Sequence, residues 1–270
     1  MPTQSQPSIL PGVTRAARYL SFNTRAGVDA GAVLAAIGAL WIDERLVVGL
    51  GEPLVAHCKA SIPGLRTFPA LSGPGVHVPS TQCDLWCWLR ADDPGDVVLH
   101  SIEIIDCLAP AFQLDETVDA FKHGSDALGR DLTGYEDGTE NPTGDEAVAT
   151  AFVQGEDTHL TGSSFVAVQR WLHDLRHFGH MSRDEQDQVI GRRLSDNTEI
   201  EDAPESAHVK RTEQESFSPE AHVLRRSMPF AGADGEGLNF VAFGHSLDAF
   251  EVQMRRMVGE EDGITDALFT

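Results

Sequence analysis

Asp84-Leu85-Trp86-Cys87-Trp88-Leu89 is followed shortly by Asp93-Pro94, and Leu238-Asn239-Phe240-Val241-Ala242-Phe243 is followed by Leu247, Phe250, Met254 and Met257. The first run is apolar at nearly every position and reads as a dense apolar strand. Asp93 then offers a capping side chain and Pro94 a pre-set first helical position. Val98, Ile102 and Ile105 give the expected buried face of that helix. The second run is again strand-like, and the residues after it fall at i, i+3, i+7 and i+10, the stripe of a helix lying on a core. A strand feeding a helix thus occurs twice, far apart in the chain.

The same order extends outward from both copies. Ala17 to Asn23 reads as a strand, Ala30 to Trp41 as a helix with Val33, Ile37 and Leu40/Trp41 inward, and Leu46 to Leu50 as a strand ending at Gly51. Residues 61–79, rich in Pro and Gly, read as a long loop, and Asp115 to Phe121 as a further strand. In the second copy, Ser164 to Trp171 is strand-like. Ser182-Arg183-Asp184-Glu185 is a capping box that opens a helix carrying Val189 and Ile190, and Ala221 to Met228 reads as a strand. The expected fold is α+β: two β-α-β-β-α-β halves, 1–145 and 146–270, each an antiparallel sheet with helices on one face. The polar stretch 143–163 is the expected connection, and a cleft between the two sheets the expected ligand site.

Composition narrows the partners. The 270 residues carry 42 acidic and 20 basic side chains, a formal net charge of −22. Such a field opposes phosphate, which argues against nucleic acid and anionic membranes. No apolar run reaches membrane-spanning length, and Met1 to Arg15 has no signal pattern, so a soluble cytoplasmic protein is expected. Cys58, Cys83, Cys87 and Cys107 lack metal or redox spacing and read as reduced thiols.

Chemistry concentrates in Gly134-Tyr135-Glu136-Asp137-Gly138-Thr139-Glu140-Asn141-Pro142. Asp137 there is open to two readings: an Asx-turn residue bonding nearby amides, or a carboxylate held for chemistry. The acids do not follow the alternate-residue spacing of a calcium loop. His173, His177 and His180 would share a helical face, but Gly179 and the Ser182 cap argue against that helix, leaving a solvated connection. Arg225 and Arg226 are adjacent in a strand, so one points inward and needs an anionic partner, either Asp137 or a ligand.

Gly134-x-x-Asp137-Gly138 with Thr139-Glu140-Asn141-Pro142 resembles the GxxDG signature of the dye-decolorizing peroxidases. Ile190-Gly191-Arg192-Arg193, Ser206-Ala207-His208-Val209, Leu224-Arg225-x-Ser227-Met228-Pro229-Phe230 and Asp262-Gly263-x-x-Asp266 fit the same family in order. The likeness covers nearly the whole chain and is closest to the compact bacterial B-type branch. It implies two ferredoxin-like halves of the dimeric α+β barrel type with haem b in the cleft, and a tendency to form homo-oligomers. It implies a peroxidase that uses hydrogen peroxide to oxidise aromatic dyes or phenols through a ferryl state. A haem carrier or iron-releasing dechelatase would show the same residues. By this resemblance His208 is the haem iron's proximal ligand and Asp266, with Asp262 as a rival, its carboxylate partner. Asp137 and Arg225 are the catalytic pair over the haem, with Asn141 behind them. Arg192 pairs with a haem propionate, and Ser227 lines the haem site where some relatives carry Asn. Trp171 and Tyr135 are candidate surface relays for electrons from bulky reductants, set against ordinary packing roles.

Overall fold

The computed structural model describes residues 5–125, 129–155 and 159–269. The first half runs β1 (Ala16–Thr24), α1 (Ala30–Gly38), β2 (Leu46–Leu50), a short α2 (Glu52–His57), a small hairpin of β3 (Leu71–Gly73) and β4 (Val76–Val78), β5 (Leu85–Ala91), α3 (Pro94–Leu108) and β6 (Phe112–Phe121). The second half runs α4 (Gly144–Ala151), β7 (Phe165–Leu172), α5 (Leu175–His180), α6 (Arg183–Ile190), α7 (His208–Arg211), β8 (Leu224–Arg225), β9 (Met228–Gly232), β10 (Gly235–Gly244) and α8 (Asp248–Met257).

The expected sheets join into one. Its order is β2-β5-β1-β6-β9-β10-β7, with β8 on β10. The seam is the single register pair Ala120↔Phe230 between β6 and β9. Every strand pair is antiparallel. In the first half the order β2-β5-β1-β6 is that of a β-α-β-β-α-β unit. In the second half no strand follows α8 among the described residues, so its unit ends on that helix.

β5 shows why its sequence is apolar throughout. Leu85, Cys87 and Leu89 pack with Val33 and Ala36 of α1 and Val97, Ile104 and Leu108 of α3. Trp86 and Trp88 point the other way, into a core shared with Leu224, Met228, Val241 and Phe243 of the second half. The strand is therefore covered by helices on one face and by the second half on the other.

Several expected boundaries move. α3 begins as expected, with Asp93 Oδ1 accepting from the Gly95 N–H at 2.7 Å. Its buried residues, however, are Val97, Ser101, Ile104 and Leu108, while Val98 and Ile102 are exposed. The helix carries two apolar stripes, and one-residue rotation decides which faces the sheet. α1 ends at Gly38, which leaves Trp41 80% exposed. The stretch 143–163 is not merely a connection, since α4 lies within it and buries Ala147, Ala151 and Phe152 in the shared core. The strand expected over 221–228 pairs only at Leu224–Arg225 before β9 begins. The capping box at Ser182 forms, and Leu247, Phe250, Met254 and Met257 are all buried. No helix among the described residues is long and apolar enough to cross a membrane.

Candidate active site

The loop before α4 is shaped by two glycines. Gly134 and Gly138 have φ of 93° and 89°, where a Cβ is disfavoured. A Cβ on Gly138 would also lie 2.6 Å from Asn141 Nδ2. That amide must be close, because it reads the backbone of Arg225 like a strand neighbour. Asn141 Oδ1 accepts from the Arg225 N–H at 2.7 Å, and Asn141 Nδ2 donates to the Arg225 carbonyl at 3.1 Å. The loop thereby brings Asp137 beside Arg225, with Nη1 3.7 Å from Oδ1.

The Asx-turn role falls to Asp131 instead, whose Oδ2 accepts from the Thr133 N–H at 3.0 Å and from its hydroxyl at 2.7 Å. Among the described residues, the carboxylate of Asp137 meets only Arg225. Their separation is longer than a direct hydrogen bond, so both groups keep capacity for a third partner.

His208 opens α7, which packs against α6 and α8. Its Nδ1 lies 2.8 Å from Oδ2 of Asp266, a carboxylate with no exposed side-chain surface. A carboxylate accepts hydrogen bonds, so Nδ1 carries the proton and the Nε2 lone pair is left over. Asp262 is engaged elsewhere, in a two-pronged pair with buried Arg211 at 2.8 and 2.9 Å.

His208, Asp137 and Arg225 all line one cavity of about 240 Å³. Its apolar wall includes Ile190, Leu238, Phe240, Met254 and Met257. His208 reaches it from the helices, whereas Arg225 and Asp137 reach it from the sheet and the glycine-bounded loop. All strands lining it belong to the second half. Arg192 is not among its lining residues; it bonds Glu140 at 2.6 Å, the Asn197 carbonyl at 3.1 Å and Glu199 at 3.4 Å. Ser227 is also absent from this wall. It lines a smaller pocket that shares Asp137 with the first. Tyr135 is buried and donates its hydroxyl to Asp187, so it is no surface relay. Trp171 lines the cavity half-buried, its ring 5.2 Å from that of Phe269.

The sequence reading missed a second charged pair on the same wall. His173 Nε2 lies 3.0 Å from Asp131 Oδ1, and both residues line the cavity. Burial pulls the imidazole's pKa down, but the hydrogen bond and charge of Asp131 outweigh it and the net shift is upward. Burial pushes Asp131 up, yet the bonds from His173 and Thr133 bring it below the ordinary carboxylate value. The expectation of a solvated connection here is corrected. Asp174 caps the His177 N–H at 2.8 Å and α5 forms through Gly179, leaving His173 just outside it at the end of β7. Spacing within 173–180 could not reveal a partner 42 residues upstream.

Comparison with known proteins finds relatives of this chain in both sequence and fold. A family model described as "Dyp-type peroxidase, C-terminal" matches residues 129–270. A dye-decolorizing peroxidase of Rhodococcus erythropolis is 32% identical over 98% of this chain and 84% of its own. A dye-decolorizing protein from V. cholerae superposes with a TM-score of 0.84 at 29% identity, covering 98% of this chain and 92% of that one. A DypB variant of Rhodococcus jostii RHA1, solved in complex with heme, gives 0.84 at 28% identity, covering 96% and 89%.

Proposed function

Because the chain belongs to the dye-decolorizing peroxidase family, we propose that its cavity takes haem b and that the protein reduces hydrogen peroxide while oxidising small aromatic dyes or phenols. The observation that carries this reading is the convergence on one cavity of His208, backed by Asp266, with the Asp137–Arg225 pair. The residues present suit the group. His208 would hold the iron through its leftover Nε2, with Asp266 orienting the ring through Nδ1. The apolar wall suits a flat macrocycle. When bound, haem would supply the redox chemistry that splits the O–O bond and passes oxidising equivalents to a reductant.

The chain's own residues would handle protons and charge. A carboxylate oxygen of Asp137 takes the proton from one peroxide oxygen and returns it to the departing one. The Arg225 guanidinium stabilises negative charge on that departing oxygen. Both side chains are partly buried, at 20% and 24% exposure, which strengthens such charge effects relative to open water. Arg192, held by Glu140, Glu199 and the Asn197 carbonyl outside the cavity wall, is the candidate partner for a propionate. Ser227 lines the smaller pocket that also takes in Asp137.

The test is peroxide turnover by haem-loaded protein with an aromatic reductant. Asp137→Ala and Arg225→Ala should each lower kcat by about 100-fold or more, the range for a lost proton-transfer or charge-stabilising group. Native turnover in both variants, or turnover at background in a fully haem-loaded wild type, would overturn the proposal.

A further inference from the structure

Arg226 follows Arg225 in sequence but is not part of the cavity wall. Its guanidinium is largely buried, and among the described residues no carboxylate pairs with it. Main-chain carbonyls hold it instead. Nε donates to Ile9 O at 3.2 Å and Pro11 O at 2.9 Å, and Nη2 donates to Leu10 O. Burial and the neighbouring charge of Arg90 pull its pKa down to about 10, so it stays cationic at neutral pH. Arg90 grips the same segment, donating to Ser8 O at 2.7 Å and to Gly12 O.

The segment 6–12 is a strap tied down along its length. Gln6 exchanges two hydrogen bonds with the backbone of Val48, at 2.7 and 2.8 Å. Ser8 is fully buried and donates to Asp43 O at 2.9 Å. Ile9 is 3% exposed and packs into the core shared by the two halves.

Holding a strap would account for three of the four bonds of Arg226. The fourth goes elsewhere: Nη1 donates to the Arg225 carbonyl at 2.8 Å. That is the carbonyl to which Asn141 Nδ2 also donates, while Asn141 Oδ1 takes the Arg225 N–H. Beyond the pairing of β8 with β10, the backbone of Arg225 is held by the glycine-bounded loop and, through Arg226, by the strap. A planar fork with five donors can span both sets of carbonyls, whereas a single ammonium cannot reproduce that geometry. Burying an arginine without a carboxylate is costly, more than apolar packing of the strap would require.

We infer that residues 6–12, acting through Arg226, position the Arg225 guanidinium in the cavity, which makes Arg226 a positioning residue. This rests on the reading that Arg225 acts on peroxide. Its lever is the Arg225 backbone, and misplacement of a reacting group by about 1 Å can cost about 100-fold in rate.

Full-length Ile9→Asp, which expels the strap, Arg226→Met, Arg226→Lys and the double variant Ile9→Asp/Arg226→Met are compared with wild type. The first readout is amide hydrogen exchange at Arg225 in haem-free protein, which requires neither haem nor activity. Exchange should accelerate in Ile9→Asp and in Arg226→Met, with their double variant no faster than either, because the two changes break one path. The second readout is peroxide turnover after haem loading, where kcat should fall about 10-fold to 100-fold while KM for the aromatic reductant stays near wild type. Arg226→Lys should keep the charge and recover little of either effect. If Arg226→Met does not fold, Ile9→Asp and Arg226→Lys carry both readouts. Native exchange at Arg225 in the strap and Arg226 variants, or accelerations that add in the double variant, would overturn the inference. Arg225→Ala runs alongside: native turnover there defeats the functional reading itself, whereas slow turnover there with native behaviour in Ile9→Asp and Arg226→Lys defeats only the strap.

Discussion

Asp266 and Asp262 are four residues apart, and either could serve a histidine. The geometry separates them by what each touches. Asp262 neutralises Arg211, while Asp266 meets His208 Nδ1. Replacing such a partner weakens a metal ligand without touching the metal, by about 10-fold to 100-fold in affinity or activity. Asp266→Asn should therefore lower haem affinity by about that factor, read by titrating haem-free protein and following the haem absorbance band. Equal affinities would mean that His208 is not oriented through Asp266. The His173–Asp131 pair makes a different prediction, about pH. His173 has its folded pKa raised, so its contribution to stability is complete below the ordinary histidine value of about 6.5 and fades as pH rises through the raised folded value. Asp131 has its folded pKa lowered, so its contribution is present above the ordinary aspartate value of about 3.9 and fades as pH falls through the lowered one. The pair therefore stabilises most between about pH 4 and 6.5. The thermal midpoints of wild type and His173→Gln should differ most inside that window and converge above it; a gap that widens toward alkaline pH would contradict the assignment.

At the scale of elements, α3 shows what a local pattern carries and what it leaves open. Val98 and Ile102 form one apolar stripe and Val97, Ile104 and Leu108 another, and only the second is buried. Ile104→Ala should cost about 2–5 kcal/mol, as buried large-to-small changes do. Ile102→Ala, at a position 50% exposed, should stay within about 0.5 kcal/mol of wild type. Urea unfolding of the two variants distinguishes them, and equal losses would show that the helix sits one residue rotated. The start of this helix was legible because a cap is local: Asp93 and Pro94 need only their neighbours. So was the capping box at Ser182, and so was the stripe of α8, whose alternative face is polar. The rotation of α3 was not legible, because it depends on which stripe the distant β1 and β5 accept. The same distinction holds in the site. The glycine-bounded loop and His208 could be picked out by motif, whereas His173 with Asp131, and Arg226 with the strap, are pairs made only by folding. Arg192 matched a motif position, yet its contacts run to Glu140 and Glu199 rather than into the cavity.

For the whole molecule, the decisive feature is that the two halves share a core although, among the described residues, their strands share one register pair. Tyr19, Trp86, Trp88 and Val118 of the first half pack with Leu224, Met228, Val241 and Phe243 of the second, and α4 adds Ala147, Ala151 and Phe152. Trp88 and Phe243 stack across the halves with ring centroids 6.1 Å apart, and Trp88 stacks in turn on Tyr19 at 6.2 Å. Backbone pairing at the seam is slight, so side-chain contacts, this apolar core foremost, couple the halves. β10 then links that shared core to the cavity, because its alternate residues face opposite ways: Val241 and Phe243 enter the core, while Leu238 and Phe240 line the cavity. Loosening the shared core should accordingly be felt by both halves and by the site together. The wild type should unfold in one transition when followed by tryptophan fluorescence and by far-UV circular dichroism, the signature of a single cooperative unit. Phe243→Ala leaves a cavity at the junction and should cost about 3–5 kcal/mol, moving both transitions to the same lower midpoint. Two separate transitions, or a shift confined to one probe, would show instead that each half is stable alone and that the shared core only docks them.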